Sequence, residues 1–275
     1  MTALALLFPG QGSHFPGMDE PYRSTPTFQR GLELLDEDPF PRLGEGTRYQ
    51  QPAIFLCSVC AWESRREDLA PIAAAGHSLG EYAAMVAAGA LRFEDAIGLV
   101  AERGAAMADA GAAAAGGMTA MLGGDSEAIR ELAQELGLVV ANDNAPGQLV
   151  LSGPRPALEA LAERAREETG ARARALDVAG AFHSPMMAPA AARLQAALAR
   201  VSVAPLRFPV YSNGSARPFV DVRGELAENL LSPVRWRETV LALNELGVDQ
   251  FIELGPGEAL SAMVKRILPS IEAVA

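Results

Sequence analysis

Five residues, Gly76-His77-Ser78-Leu79-Gly80, constrain this chain more than any other feature. They form a G-x-S-x-G pattern between a short apolar run, Ile72-Ala-Ala-Ala75, and a stretch that reads as helix from about Leu79 to Ala88. A strand that turns at once into a helix leaves no room for a Cβ at the flanking positions, and glycine removes it. The serine is then held at a helix N-terminus, where free N–H groups and the helix dipole favour negative charge. That environment suits the oxyanion of acyl transfer, and a strand–turn–helix of this kind belongs in an alternating α/β chain. An ordinary glycine turn fits the same five residues; the strand on one side and the helix on the other favour a nucleophile elbow.

A serine nucleophile needs a base, usually histidine. The chain has three histidines: His14, His77 and His183. His77 directly precedes Ser78, so the two side chains should point apart. His14 lies in a loop after the first apolar run. His183 sits in Gly180-Ala-Phe-His-Ser-Pro185, where a small inserted unit rejoins a larger one, a good place for a cleft residue.

The rest of the 275 residues alternate between strand and helix signals. Leu4 to Phe8 reads as a buried strand, Phe28 to Leu35 and Gln51 to Trp62 as helices, and Phe93 to about Ala110 as another. Gly111 to Gly117 reads as a linker. From Met118 to Val178 the order is strand, helix, strand, strand, helix, strand, with Asn142 to Gly147 as turn chemistry. The remainder reads as helix Met186–Val201, strand Phe208–Tyr211, helices Glu225–Leu231 and Trp236–Leu246, strand Gln250–Leu254 and helix Glu258–Leu268. Alternation of this kind predicts a mostly parallel sheet covered by helices.

Composition narrows the function classes. Basic residues number 23 and acidic ones 34, for a net charge of −11, which argues against a general nucleic-acid binder. Lys265 is the single lysine. Cys57 and Cys60 have C-x-x-C spacing, yet they lie in an apolar helical run and read as small buried residues one turn apart; zinc would need a second pair. The N-terminus lacks a basic n-region, and no apolar run reaches roughly 18 residues, so neither a signal peptide nor a membrane span is predicted and the cytoplasm is the expected location.

Four segments in order resemble the malonyl-CoA:acyl-carrier-protein transacylases of fatty-acid and polyketide synthesis: Phe8-Pro-Gly-Gln-Gly-Ser13, Gly76-His-Ser-Leu-Gly-Glu81, Ala181-Phe-His-Ser184 and Glu253-Leu-Gly-Pro-Gly257. Arg103-Gly104 matches at the family's offset from the serine. The resemblance implies an α/β-hydrolase-like large domain with a mostly parallel sheet, residues 1–115 and 183–275, and an inserted ferredoxin-like βαββαβ domain, residues 116–182. Two departures stand out: the stretch before the serine is shorter than in the family, and His14 stands where Gln or Ala is more usual.

The resemblance also implies roles. Ser78 would accept the acyl group and His183 would be its base, in a dyad without a carboxylate. The main-chain carbonyl of Asn229 would orient the histidine, and the N–H groups of Gln11 and Leu79 would form the oxyanion hole. Arg103 would take the malonyl carboxylate, a role a buried guanidinium fills by forking two hydrogen bonds onto it. Phe182 would crowd an α-methyl group and favour malonyl over methylmalonyl. The implied reaction is ping-pong, from malonyl-CoA to the phosphopantetheine thiol of acyl carrier protein, without metal or redox cofactor, in a monomer. Both partners are anionic, so a local basic patch is needed; Lys265 and Arg266 are the first candidates for docking the carrier, and Arg65 and Arg66 the second. Three other readings stay open: an esterase-like serine hydrolase, a noncatalytic carrier-docking module, and a transacylase serving polyketide synthesis or malonate decarboxylation.

Overall fold

The computed structural model describes residues 3–275. Its first half begins with β1 (Leu4–Phe8), α1 (Pro26–Leu34) and α2 (Thr47–Arg65). There follow β2 (Pro71–Gly76), α3 (Gly80–Ala87) and α4 (Phe93–Ala113). The chain then makes β3 (Gly116–Leu122), α5 (Ser126–Glu135), β4 (Val139–Ala145), β5 (Gln148–Pro154), α6 (Arg155–Thr169) and β6 (Arg172–Ala175). The last part comprises α7 (Ala188–Leu198), β7 (Val210–Tyr211), α8 (Val222–Glu228), α9 (Trp236–Glu245), β8 (Gln250–Glu253), α10 (Ala259–Ile267) and β9 (Glu272–Val274).

The strands form two sheets. The larger has the order β7-β2-β1-β8-β9, and every pair in it is parallel. The strand period of two sorts its side chains onto opposite faces. Leu4, Leu6 and Phe8 of β1 face a core shared with α2, α3 and α4. Ala5 and Leu7 face the other side, where Trp236 and Val240 of α9 and Leu260 and Val264 of α10 cover the sheet. The alanines of β2 are buried on both faces, so a run that looks weak by hydrophobicity fits a strand between two helical layers.

The smaller sheet has the order β4-β5-β3-β6, all antiparallel, with α5 and α6 packed on one face. This is the ferredoxin-like arrangement expected from the element order. Its other face, including Met118 and Val150, turns toward the larger sheet's core.

Several sequence expectations need correction. Asn142 to Ala145 is not a turn: it is the second half of β4, and only Pro146-Gly147 makes the hairpin. The polar residues there are buried because they bond to neighbouring elements. Asp143 N–H donates to the Val234 carbonyl at 2.9 Å, and Val234 N–H to that of Ala141 at 2.8 Å. The Gly111–Gly117 linker is absent as well, since α4 runs to Ala113 and β3 starts at Gly116. Alanine is the best helix former, and glycine is tolerated in a strand where a neighbour comes close. Strand β6 ends at Ala175 rather than Val178, and β7 starts at Val210 rather than Phe208. Helix α2 starts at Thr47, one turn before Gln51, because Pro52 lies inside it rather than at its start. Strand β9 has no counterpart in the sequence reading.

Candidate active site

Each cleft-forming loop follows a strand of the parallel sheet at its carboxyl end, where α/β sheets place ligand crevices. The loop after β7 carries Asn213, which bonds to the serine turn without lining the cleft; the loop after β1 carries Gln11, that after β2 carries Ser78, and that after β8 leads into α10. Together with Arg103 and Met107 of α4, Met118 and Val150 of the smaller sheet, and Phe182 and His183, these last three enclose a cleft of about 380 Å³. Glu253 fixes the wall made by α10: it accepts N–H bonds from Leu260 at 3.1 Å and Ser261 at 2.7 Å, the free donors at that helix's start.

The elbow is tight. A Cβ on Gly80 would lie 2.0 Å from the Phe8 carbonyl oxygen, and one on Gly10 would lie 2.3 Å from the His77 carbonyl oxygen. The Gln11 loop therefore packs directly on the serine turn. Ser78 is held at φ 52°, and its N–H is taken by Asn213 Oδ1. The N–H groups of Gln11 and Leu79 donate to no backbone acceptor among the described residues.

Ser78 Oγ lies 2.8 Å from His183 Nε2. The imidazole's Nδ1 faces two main-chain carbonyls, Asn229 at 2.9 Å and Ser232 at 3.0 Å. Two acceptors there require the proton on Nδ1, which leaves Nε2 free to accept from Ser78. No carboxylate hydrogen-bonds to the ring among the described residues; Asp177 is exposed and Nδ1 is taken by the two carbonyls. Burial first, then the Arg103 guanidinium and His77, push the His183 pKa down to about 3. The ring is therefore neutral, with Nε2 turned as an acceptor toward Ser78 Oγ.

Arg103 is 3% exposed. Nη2 donates to Ser78 Oγ at 2.8 Å and Nη1 to Gln51 Oε1 at 2.6 Å, both neutral oxygens. The guanidinium also lies over the Tyr82 ring, 5.8 Å from its centroid. No carboxylate is within ion-pair distance of it among the described residues. Gln51 in turn donates to Thr47 Oγ1, and Thr47 to Gln11 Oε1, each at 2.7 Å. A directional chain of hydrogen bonds thus runs from the buried cation to the Gln11 loop.

This geometry coincides with a whole-chain match to known proteins. The acyl transferase domain family matches residues 32–275. The malonyl CoA-acyl carrier protein transacylase of Bacillus subtilis is 40% identical, covering 100% of this chain and 93% of its own length. The chain belongs to this family. It is an acyltransferase. The crystal structure of MCAT from Mycobacterium tuberculosis superposes with a TM-score of 0.92 at 37% identity, covering 99% of this chain and 96% of that one. A malonyl-transacylase solved in complex with a type II PKS acyl-carrier protein, PlMCAT:AntF, superposes with a TM-score of 0.92 at 34% identity, covering 100% of this chain and 96% of that one.

The transacylase fold brings Ser78, His183, Arg103, Gln11 and Phe182 to one cleft, with Asn229 behind the imidazole. Phe182 is buried on the cleft wall. His77 points away from the nucleophile: its Nε2 meets Asn144 Oδ1 at 2.9 Å, and its ring lies 5.5 Å from that of Trp236. His14 lines the cleft with Nδ1 unpartnered, its pKa lowered by burial. Lys265 and Arg266 are exposed on α10, two and three positions beyond cleft-lining Met263. Arg65 and Arg66 lie at the end of α2, outside the cleft lining, and Arg66 pairs with Glu63. The cysteines are buried and unpaired, and burial pushes the Cys60 thiol up to about 11. No group of three His, Cys, Asp or Glu side chains is arranged for a metal among the described residues. No helix there is long and apolar enough to cross a membrane.

Sequence reasoning missed Glu81, Asn213, Ser232, Gln51 and Thr47. Glu81 stood within a matched motif, and Asn213 followed a predicted strand. The others carry no local signal, because their partners lie far along the chain.

Proposed function

We propose that this acyltransferase moves malonyl from coenzyme A to the phosphopantetheine thiol of an acyl carrier protein, with Ser78 as the acyl carrier and His183 as its base. The observation that carries the substrate is Arg103: a buried guanidinium beside the nucleophile that has only neutral acceptors. An uncompensated buried charge costs on the order of 3–5 kcal/mol. An acyl group bearing a carboxylate supplies the missing anion, and acetyl does not. The B. subtilis relative and the carrier-bound MCAT bear names that fit this substrate and acceptor.

The steps balance without any further redox or metal partner. Ser78 gives its Oγ proton to His183 Nε2 and attacks the thioester carbonyl. The N–H groups of Gln11 and Leu79 hold the oxyanion. The C–S bond breaks, and the imidazolium returns the proton to the CoA thiolate. Once Oγ is acylated, Arg103 Nη2 turns from Oγ onto the malonyl carboxylate. The carrier thiol then passes its proton to His183 and attacks the ester, and Ser78 regains a proton as it leaves. Asn229 and Ser232 hold the imidazole throughout. Phe182 crowds an α-methyl substituent, a preference worth about 1–3 kcal/mol. Residues 116–182 act as an inserted domain closing the cleft, and Lys265 with Arg266 receives the carrier. The enzyme then supplies malonyl-carrier for fatty-acid or polyketide synthesis in the cytoplasm.

The test is intact mass after mixing with malonyl-, methylmalonyl- and acetyl-CoA. Wild type should gain one malonyl group, lost in Ser78→Ala and discharged by the holo carrier protein. Malonylation that persists in Ser78→Ala would overturn the assignment.

A further inference from the structure

Glu81 is 2% exposed on the first turn of α3, directly beneath the elbow. A buried carboxyl is costly, and a packing position would be filled more cheaply by an apolar side chain. No guanidinium or ammonium pairs with it among the described residues. One of its oxygens, Oε1, instead accepts two N–H bonds, from the Asn213 backbone at 2.7 Å and from Asn229 Nδ2 at 2.9 Å.

Those two donors lead to the two halves of the dyad. The Asn213 side chain bridges the elbow: Oδ1 accepts the Ser78 N–H, and Nδ2 donates to the Gly76 carbonyl at 2.7 Å. The Asn229 carbonyl accepts from His183 Nδ1 at 2.9 Å. Ser78 and His183 are both non-glycine residues in left-handed backbone, at φ 52° and 55°. Such conformations persist only where surrounding contacts over-determine them. A single carboxyl oxygen is the point at which both sets of contacts meet.

We propose that Glu81 is a positioning residue that locks the nucleophile turn and the base into one register, acting through Asn213 on Ser78 and through Asn229 on His183. In an acid-containing triad the carboxylate touches the imidazole. Here the carboxyl stands one residue back and serves both partners. It works as a hydrogen-bond acceptor, so an amide oxygen can take its place. This inference rests on the proposed roles of Ser78 and His183.

The experiment measures single-turnover malonylation of Ser78 by malonyl-CoA, with kcat and KM, in wild type, Glu81→Ala, Glu81→Gln, Asn229→Ala and the double variant Glu81→Ala/Asn229→Ala. Thermal melts identify the folded variants. Small misplacement of reacting groups costs about 10²-fold. Glu81→Ala should lower the acylation rate by about that factor with KM for malonyl-CoA unchanged, and Glu81→Gln should recover most of it. Asn229→Ala keeps the main-chain carbonyl but removes the Nδ2 bonds to Glu81 and, at 3.0 Å, to Ser212 Oγ, and should lose roughly tenfold, on the order of the worth of a hydrogen bond. Because Asn229 acts mainly through Glu81, the double variant should lose far less than the product of the two single losses and stay close to Glu81→Ala. The proposal falls if folded Glu81→Ala or Asn229→Ala acylates at the wild-type rate, if Glu81→Gln is as impaired as Glu81→Ala, or if the two losses multiply. Should Glu81→Ala not fold, the rate of Asn229→Ala decides. Wild type that takes no malonyl group refutes the transferase reading instead, which keeps the two failures apart.

Discussion

Arg103 and His183 influence each other across one serine oxygen. Arg103→Ala removes the cation beside Ser78 Oγ, and the loss of transition-state binding should approach the 3–5 kcal/mol assigned to an orphaned buried charge, or about 10²–10⁴-fold in kcat/KM for malonyl-CoA. Acetyl-CoA, which leaves the guanidinium unpaired in wild type, should lose little, so the malonyl-to-acetyl ratio collapses. Steady-state kinetics with both substrates check this, and an unchanged ratio removes Arg103 from the carboxylate site. The same guanidinium disfavours an imidazolium beside it. In the proposed mechanism neutral His183 is the working form, so activity should be lost as pH falls through its pKa. With that value pushed down to about 3, chiefly by burial, kcat/KM should stay level through the ordinary histidine range near pH 6.5. Arg103→Gln removes one cation and should move the acid limb upward. A wild-type limb near pH 6.5 would contradict the buried base. Arg103 itself was legible only through its offset in a known motif, because an arginine buried by tertiary packing looks the same in sequence as one on a surface. Gln51 and Thr47 were not legible at all: their hydrogen bonds to Arg103 and Gln11 span 52 and 36 positions.

The elements that position these residues depend on close backbone approach. At Gly80 the Phe8 carbonyl oxygen would lie 2.0 Å from an added Cβ and the Pro9 carbonyl oxygen 3.0 Å. Neither is the end of a flexible side chain, so β1 and the elbow would have to separate. Gly80→Ala should cost about 3 kcal/mol, at the upper end of overpacking effects, and lower Tm by roughly 6–12 °C for a chain of this size. Gly98 is the matched control. It lies inside α4 with nothing within 4 Å of the place an added Cβ would take, so Gly98→Ala should raise stability by up to about 1 kcal/mol. Thermal melts of the two compare crowding with helix propensity; equal shifts would mean that the elbow has slack. The elbow was legible because glycine, strand and helix signals agree there. Strand β4 was not, because Asn142-Asp-Asn144 has turn chemistry locally and is pinned as strand by the Val234 backbone and by His77. Strand β9 is three residues long and defined by its pairing with β8, and a pairing partner leaves no mark on so short a segment.

For the whole molecule, the net charge of −11 conceals where positive charge remains available. Much of the arginine is spent on neighbouring acids. Arg42 pairs with Glu37 and Glu45, Arg164 with Glu135 and Glu168, and Arg193 with Glu102 and Asp109. Arg130 and Arg237, from the two sheets' helices, both hold Asp143. The exposed pairs each contribute at most about 1 kcal/mol to stability, and all of them, with the pairs on buried Asp143, cancel the local field. Lys265 and Arg266 join no ion pair among the described residues, and they continue the helix whose first turns wall the cleft. In the proposed function an anionic carrier approaching the mouth would meet positive charge on α10 against a repulsive background. Lys265→Glu/Arg266→Glu should raise the carrier-protein KM about tenfold or more and flatten its dependence on ionic strength, since attraction between exposed charges is what salt screens. The acylation half-reaction, which uses malonyl-CoA alone, should keep its rate, because neither side chain lines the cleft. Measuring the two half-reactions separately at low and high salt tests this directly. If the carrier KM stays at its wild-type value, the docking face lies elsewhere; if both half-reactions slow together, α10 is recognising the CoA phosphates rather than the carrier.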